Sequence, residues 1–100
     1  MTQFRLQKES ASPITRIKNE ARRRIIEVVG PEWRQQNLLA HAAELHLKET
    51  RGVITTEEAA ELQAILGLWN WVKSVRAASD TLEAAPPADY KDDQHWPGSP

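Results

Sequence analysis

Apolar residues between residues 55 and 83 recur at helical spacing and lie on two stripes rather than one. The first stripe contains Leu62, Ile65, Trp69 and Val72. The second contains Ala64, Leu68, Trp71, Val75, Ala78 and Leu82. Thr55 and Glu58 have the spacing of a capping box, and two prolines follow the last periodic residues. The pattern predicts one long helix over residues 55–83 that is apolar on more than one side.

Two shorter helices are predicted before the long one. Ser12 and Pro13 have the pattern of an N-cap followed by a first helical residue, and Gly30-Pro31 marks the end of this first helix. Its apolar face consists of Ile14, Ile17, Ala21, Ile25 and Val28. A second helix is predicted from Pro31 to about Thr50, closed by Arg51-Gly52.

The second helix also carries two stripes. Leu38, Ala42 and Leu45 form one of them. The other contains Trp33, Asn37, Ala40 and Leu47. Asn37 needs partners for its amide if it is buried, and the open carbonyls near Gly30 are the expected ones. This contact would fix the turn between the first two helices.

The predicted fold is all-α, a helical hairpin or three-helix arrangement with a long third helix. Residues 1–12 are expected to form an extended arm, residues 13–84 the helical domain and residues 85–100 an acidic, proline-rich tail. Tyr90 and Trp96 are the large aromatic residues of this tail, and we expect them to anchor it on a partner.

The composition is that of a soluble protein with one modest core. The chain has 100 residues and no cysteine, and four of its six aromatic residues are Trp. Trp is enriched at binding hot spots, so the count favours an interface. The first residues lack the apolar segment of a signal peptide, and no apolar run is long enough to span a membrane. We therefore expect a cytoplasmic product with no membrane partner.

Charge is distributed unevenly along the chain. Residues 1–24 contain seven Lys or Arg and two Glu, whereas residues 25–100 contain six basic and twelve acidic residues. The basic cluster Arg22–Arg24 would suit a small DNA-binding regulator, but Glu20 and Glu27 flank it and no base-reading motif follows. We expect a solvated or partner-facing surface and no nucleic-acid partner.

No residue pattern predicts catalysis, a metal site or a cofactor. His41 and His46 are five residues apart, whereas metal ligands on one helix face are three or four apart. Glu57, Glu58 and Glu61 suit the positive end of the third helix better than an acid–base pair. We expect a protein that is not an enzyme and that binds no metal or cofactor.

The second stripe of the long helix needs more partner surface than a small domain offers. We therefore predict a partner-binding surface made of Leu68, Trp71, Val75 and Leu82, with Tyr90 and Trp96 from the tail. It would contact another protein or copies of this chain, two or three in number. The alternative is a three-helix domain that buries both stripes by itself.

Two short motifs resemble a helical module of bacteriophage and prophage tail-fibre and tail-associated proteins. Pro31 to Asn37 (PEWRQQN) follows the pattern P-x-W-K/R-Q-x-N. Trp69 to Ser79 follows W-x-x-V/I-K/R-x-V/I-R-x-x-S, and Asp92 with Trp96-Pro97 is similar to the close of such chains. The resemblance covers roughly residues 16–97 and includes no catalytic signature.

The resemblance implies a non-enzymatic component of the phage tail, made in the host cytoplasm and located in the virion. Its partners would be a tail-fibre or baseplate protein or other copies of the chain. It also implies that one set of side chains holds the helical hairpin, namely Trp33, Gln35, Asn37, Trp69, Val72, Arg76 and Ser79. The alternative within the same biology is a tail-fibre assembly chaperone that is absent from the finished virion.

Overall fold

The computed structural model describes residues 11–100, which contain three α-helices and a single 3-10 turn. Helix α1 spans Pro13–Val29, α2 spans Glu32–Thr50 and α3 spans Thr56–Ala84, while the 3-10 turn is Asp93–His95. The all-α fold with a long third helix is therefore confirmed, and no strand occurs within the described part of the chain. The predicted arm, residues 1–12, lies almost wholly outside the described residues.

Two of the three helices begin at the side-chain caps that the sequence predicts. The hydroxyl of Ser12 accepts the backbone N–H of Thr15, and Pro13 is the first residue of α1. At the start of α3, Thr55 Oγ1 accepts the N–H of Glu58 while the Glu58 carboxylate accepts the N–H of Thr55. Each contact satisfies a backbone donor that lacks a partner inside the helix, so these caps fix where the helices begin.

Helices α1 and α2 follow one another along α3 and run antiparallel to it. Three cross-helix ion pairs show this order, Lys18 with Glu83, His41 with Glu61 and Lys48 with Glu58. As the residue number rises along α1 and α2, it falls along α3. The resulting molecule is long and thin, with extents of 58 × 32 × 18 Å.

The break between α1 and α2 depends on Gly30. Its φ of 110° and ψ of −178° belong to a region that residues with a Cβ rarely adopt. Its N–H donates to the Ile26 carbonyl at 2.9 Å, which closes α1. Its carbonyl accepts from Gln35 Nε2 at 3.0 Å, which ties the first turn of α2 to the break.

The core consists of two clusters placed one after the other along α3. The first joins α1 to the carboxyl-terminal half of α3 and contains Ile17, Ala21, Ile25, Val29, Val72, Val75, Leu82 and Trp96. The second joins α2 to the amino-terminal half and contains Ala42, Leu45, Leu62 and Ile65. Leu38 and Trp69 pack against both clusters and so connect them.

Two glycine substitutions should change stability in opposite directions. Gly30→Ala should lower the free energy of unfolding by about 1–3 kcal/mol because alanine is strained at this φ and ψ. Gly67→Ala should raise it by about 0.5–1 kcal/mol because Gly67 lies inside α3 with open space where a Cβ would go. Urea denaturation followed by far-UV circular dichroism measures both. Equal effects of the two substitutions would contradict this account of the break.

Candidate interaction site

Helix α2 packs on the amino-terminal part of the first stripe of α3, and α1 packs on Val72 of that stripe and on the carboxyl-terminal part of the second. At 100° per residue, Leu62 and Ile65 point roughly 120° away around the helix from Val75 and Leu82. Helix α2 covers the first pair and α1 covers the second. The chain therefore supplies its own partner for each stripe, as the alternative of a self-contained three-helix domain requires.

This arrangement corrects the predicted partner-binding surface on α3. Val75 is fully buried and Leu82 is 8% exposed, both inside the cluster formed with α1. Leu68 and Trp71 are half-buried and pack against the same cluster. A side chain enclosed by its own chain offers no surface to a neighbour, so Val75 and Leu82 are core residues. The prediction failed because periodicity shows how wide an apolar surface is but not which segment covers it.

The carboxyl-terminal segment is folded against α1 and α3. Trp96 is 6% exposed within the first core cluster, and its indole N–H donates to the Tyr90 carbonyl at 2.7 Å. Trp71 Nε1 donates to the Gly98 carbonyl. Asp92 caps the 3-10 turn by accepting the N–H of Gln94. Tyr90 and Trp96 thus anchor the tail on its own chain, whereas the sequence predicted an anchor on a partner.

Arg24 holds this segment in place through several contacts at once. Its Nη2 donates to the Lys91 carbonyl at 2.8 Å and to Asp93 Oδ1 at 2.9 Å. Its guanidinium carbon lies 5.1 Å from the centroid of the Trp96 ring, within range of a cation–π interaction. A buried carboxylate, Glu20, accepts from Arg24 Nε at 2.8 Å and orients the guanidinium. The basic residue thus links α1 to the tail.

Glu20 is the one acidic side chain of α1 that is buried, at 5% exposure. Arg23 donates to both of its oxygens, at 3.0 and 2.7 Å, while Arg24 donates to one of them. The hydrogen bonds from Arg23 are the largest cause that lowers the pKa of Glu20, and those from Arg24 add to them against the opposing effect of burial. Arg23 also pairs with Glu27 at 2.8 Å. Two of the three arginines in the basic cluster are therefore paired within the chain.

The residues predicted to hold the hairpin are only partly brought together. Trp69 and Val72 do lie in the core, and Gln35 lines an open groove with Arg76 and Ser79. Ser79 donates to Glu83 at 2.8 Å, not to α2. Arg76 is exposed, so water can solvate its guanidinium. The groove is lined by cations and carboxylates in similar number, which favours no particular charge on a ligand.

Trp33 and Asn37 do not take the predicted hairpin positions. Trp33 is 66% exposed and Asn37 is also exposed. The amide that reaches the Gly30 carbonyl is that of Gln35, two residues earlier than predicted. The reason is angular: Gln35 lies on the side of α2 that faces the break, whereas Trp33 and Asn37 lie on the opposite side.

One exposed surface of α2 includes Trp33, Ala40 and Leu47 of its second stripe. Its members are uncharged and lie along the side facing away from α3, namely Trp33, Gln36, Ala40, Ala43, Leu47 and Thr50, which we call the outer seam. Trp33, Leu47 and the adjoining Leu39 are 66%, 48% and 47% exposed. The stripe through Trp33, Ala40 and Leu47 was visible in the sequence. What the sequence could not show was which residues of α2 lie against α3 and which lie on its exposed side.

Within residues 11–100, no group of three or more His, Cys, Asp or Glu side chains is placed to hold a metal ion. None of the helices described is long and apolar enough to cross a lipid bilayer. Comparison with protein-family models, with curated proteins and with solved structures gives no match.

The contacts of Glu20 predict an acid-sensitive contribution to stability. Because its pKa is lower in the folded chain than its ordinary value of 4.5, Glu20 stabilises the fold above that value and loses this effect as the pH falls through the folded pKa. Glu20→Gln should lower the free energy of unfolding at neutral pH by about 1.5–3 kcal/mol, the usual range for hydrogen bonds to a charged group. It should also flatten the decline in stability below pH 4.5.

Urea denaturation at a series of pH values measures both effects. Glu32→Gln, at an exposed carboxylate outside this cluster, is the matched control and should keep the wild-type profile. If the free energy of unfolding of Glu20→Gln fell below pH 4.5 as steeply as that of wild type, the Arg23 and Arg24 contacts would contribute nothing to folding.

Proposed function

We propose that this chain is a non-enzymatic component of a bacteriophage tail that assembles through helix–helix contacts. Its partners are a tail-fibre or baseplate protein or other copies of the chain. The biological setting comes from the likeness of residues 31–37 and 69–79 to the helical module of tail proteins. The structure adds a surface suited to such assembly.

The observation that carries the proposal is the free outer seam of α2. An uncharged stripe runs from Trp33 to Thr50, about 26 Å at 1.5 Å per residue, and a Trp that is 66% exposed stands at one end. Trp is a frequent hot-spot residue at protein interfaces, so an exposed Trp at the end of an uncharged stripe favours an interaction site. A second helix laid along this stripe would bury Trp33 and Leu47 together.

The tail segment supports a structural role in a different way. Trp96, Arg24 and Trp71 hold the end of the chain against the helices. A chain end held in this way suits a fixed position in an assembly. A structural role also suits helix α1 better than DNA binding does, because Arg23 and Arg24 are already paired with Glu20.

Purified tails from the producing phage or prophage test the proposal. The wild-type chain should be retained in washed tail particles at a fixed ratio to the tail proteins, as measured by quantitative mass spectrometry. Leu47→Glu should reduce retention by at least about tenfold, because a charge in an apolar contact costs more than the roughly 1.4 kcal/mol that a tenfold change represents.

The control is Ala77→Glu, which adds the same charge at an exposed position of α3 away from the seam. Its retention should equal that of wild type. A wild-type chain that is abundant in the lysate but absent from finished tails would contradict the proposal and would point to the assembly chaperone instead.

A further inference from the structure

Residues 89–98 of the tail, which we call the docking unit, hold much of their shape through contacts among themselves. The indole N–H of Trp96 donates to the Tyr90 carbonyl at 2.7 Å, and His95 Nε2 lies 2.9 Å from Asp89 Oδ1. Three backbone hydrogen bonds also close turns inside this stretch. Because the polar atom of Trp96 is bonded within the unit, it keeps its partner whether or not the unit lies on the helices.

The helices contact the docking unit at a few points. Arg24 reaches it from α1 with two hydrogen bonds and a cation–π contact, and Trp71 reaches it from α3 by donating to the Gly98 carbonyl. An open crevice of about 330 Å³ lies between α1, Trp71 and residues 97–99. Trp96 is the one side chain of the unit that is buried. Segments with few buried contacts open at a lower free energy than the whole fold does.

The cleft between α1 and α3 that receives Trp96 is held together without the docking unit. Seven of the eight residues in the first core cluster belong to the two helices. Glu20 accepts from both Arg23 and Arg24, which fixes the Arg24 guanidinium beside the cleft. Trp71 is half-buried, so water can reach its indole N–H when the unit leaves. Opening therefore leaves the polar atoms of these side chains with partners in the chain or in water.

We infer that the docking unit is a separable ligand of this cleft, and that the cleft takes the same unit from a second copy of the chain. The linker, residues 85–88, is short and turns the chain back along α3, since Gly98 meets Trp71, which lies 13 residues before Ala84 at the end of the helix. Short hinge segments favour the exchange of identical elements between copies. This surface is separate from the outer seam, so the inference goes beyond the proposed function.

Charge and tethering explain when a second copy would occupy the cleft. The docking unit has three Asp and one Lys, and it lies beside Arg23 and Arg24 of α1, with Asp93 Oδ1 2.9 Å from Arg24 Nη2. The unit of a second copy is identical and offers the same contacts. The chain's own unit has the advantage of its tether, which gives an effective concentration on the order of 1 mM. Exchange is therefore expected where copies are held side by side, as in an assembly.

A fluorescently labelled peptide of residues 86–100 tests whether the unit is separable, with the full chain as its receptor. Trp96→Ala removes the chain's own anchor and should leave three helices that unfold cooperatively, as measured by circular dichroism. This variant should bind the peptide in a fluorescence anisotropy titration. Wild type should bind it at least about tenfold more weakly, because its own tethered unit fills the cleft. A peptide that carries Trp96→Ala should not bind.

The contribution of Arg24 is measured on the same Trp96→Ala background. Adding Arg24→Gln should weaken peptide binding by at least about tenfold, because the charged hydrogen bonds to the unit are lost. Adding Arg22→Gln is the matched control, since Arg22 is an exposed cation of α1 that lines the groove on the other side of the helix. Its affinity for the peptide should equal that of the Trp96→Ala chain.

Exchange between copies is tested by titrating labelled Trp96→Ala chain, whose cleft is open, with unlabelled Arg24→Gln chain, whose own cleft holds the unit weakly. The two should bind. A chain with both substitutions lacks the anchor and should bind at least about tenfold more weakly, which separates exchange from any other association. An unfolded Trp96→Ala chain, or one that ignores the peptide, would overturn the inference. Peptide binding without this difference between the two chains would rule out a second copy as the occupant.

Discussion

The break in the helix at Gly30 and Pro31 determines how the remaining residues pack. A continuous helix through this point would follow one face of α3 and leave the other face exposed. Because Gly30 adopts a backbone conformation that other residues avoid, α1 and α2 are set on faces of α3 that point roughly 120° apart. Val75 and Leu82 then pack on α1, while Leu62 and Ile65 pack on α2.

The sequence predicts the elements well because their signals are local. Ser12, Pro13, Gly30 and Thr55 act on the backbone beside them, so the three helices begin and end within a residue or two of the predicted bounds. Which segment of the chain covers each apolar stripe depends on contacts between residues that are far apart in the sequence. Nothing in the spacing of Leu68, Trp71 and Val75 reveals that α1 and the segment around Trp96 cover them. Trp33 illustrates the converse, since a residue expected to hold the hairpin lies on the open side of α2.

The tail segment shows how a polar stretch can be ordered by few contacts. Residues 85–100 contain little aliphatic surface, but Trp96 inserts into the core and its one polar atom finds the Tyr90 carbonyl. Arg24 then supplies a cation for the ring, a donor for Lys91 and a partner for Asp93. These contacts cover the part of α1 and α3 on which Trp96 packs, and the outer seam of α2 stays exposed as the surface on which the proposed assembly depends.

Val75 and Leu82 of the second stripe of α3 are core residues within one chain, and the stability of Val75→Glu tests this most directly. Val75 is fully buried, so placing a carboxylate there should abolish the cooperative unfolding transition and much of the helical circular dichroism. Ala77→Glu, two residues away and exposed, should keep both. If Val75→Glu instead gave a folded, stable monomer that had lost only its ability to associate, the stripe would be an interface, and the account of the fold given above would be wrong.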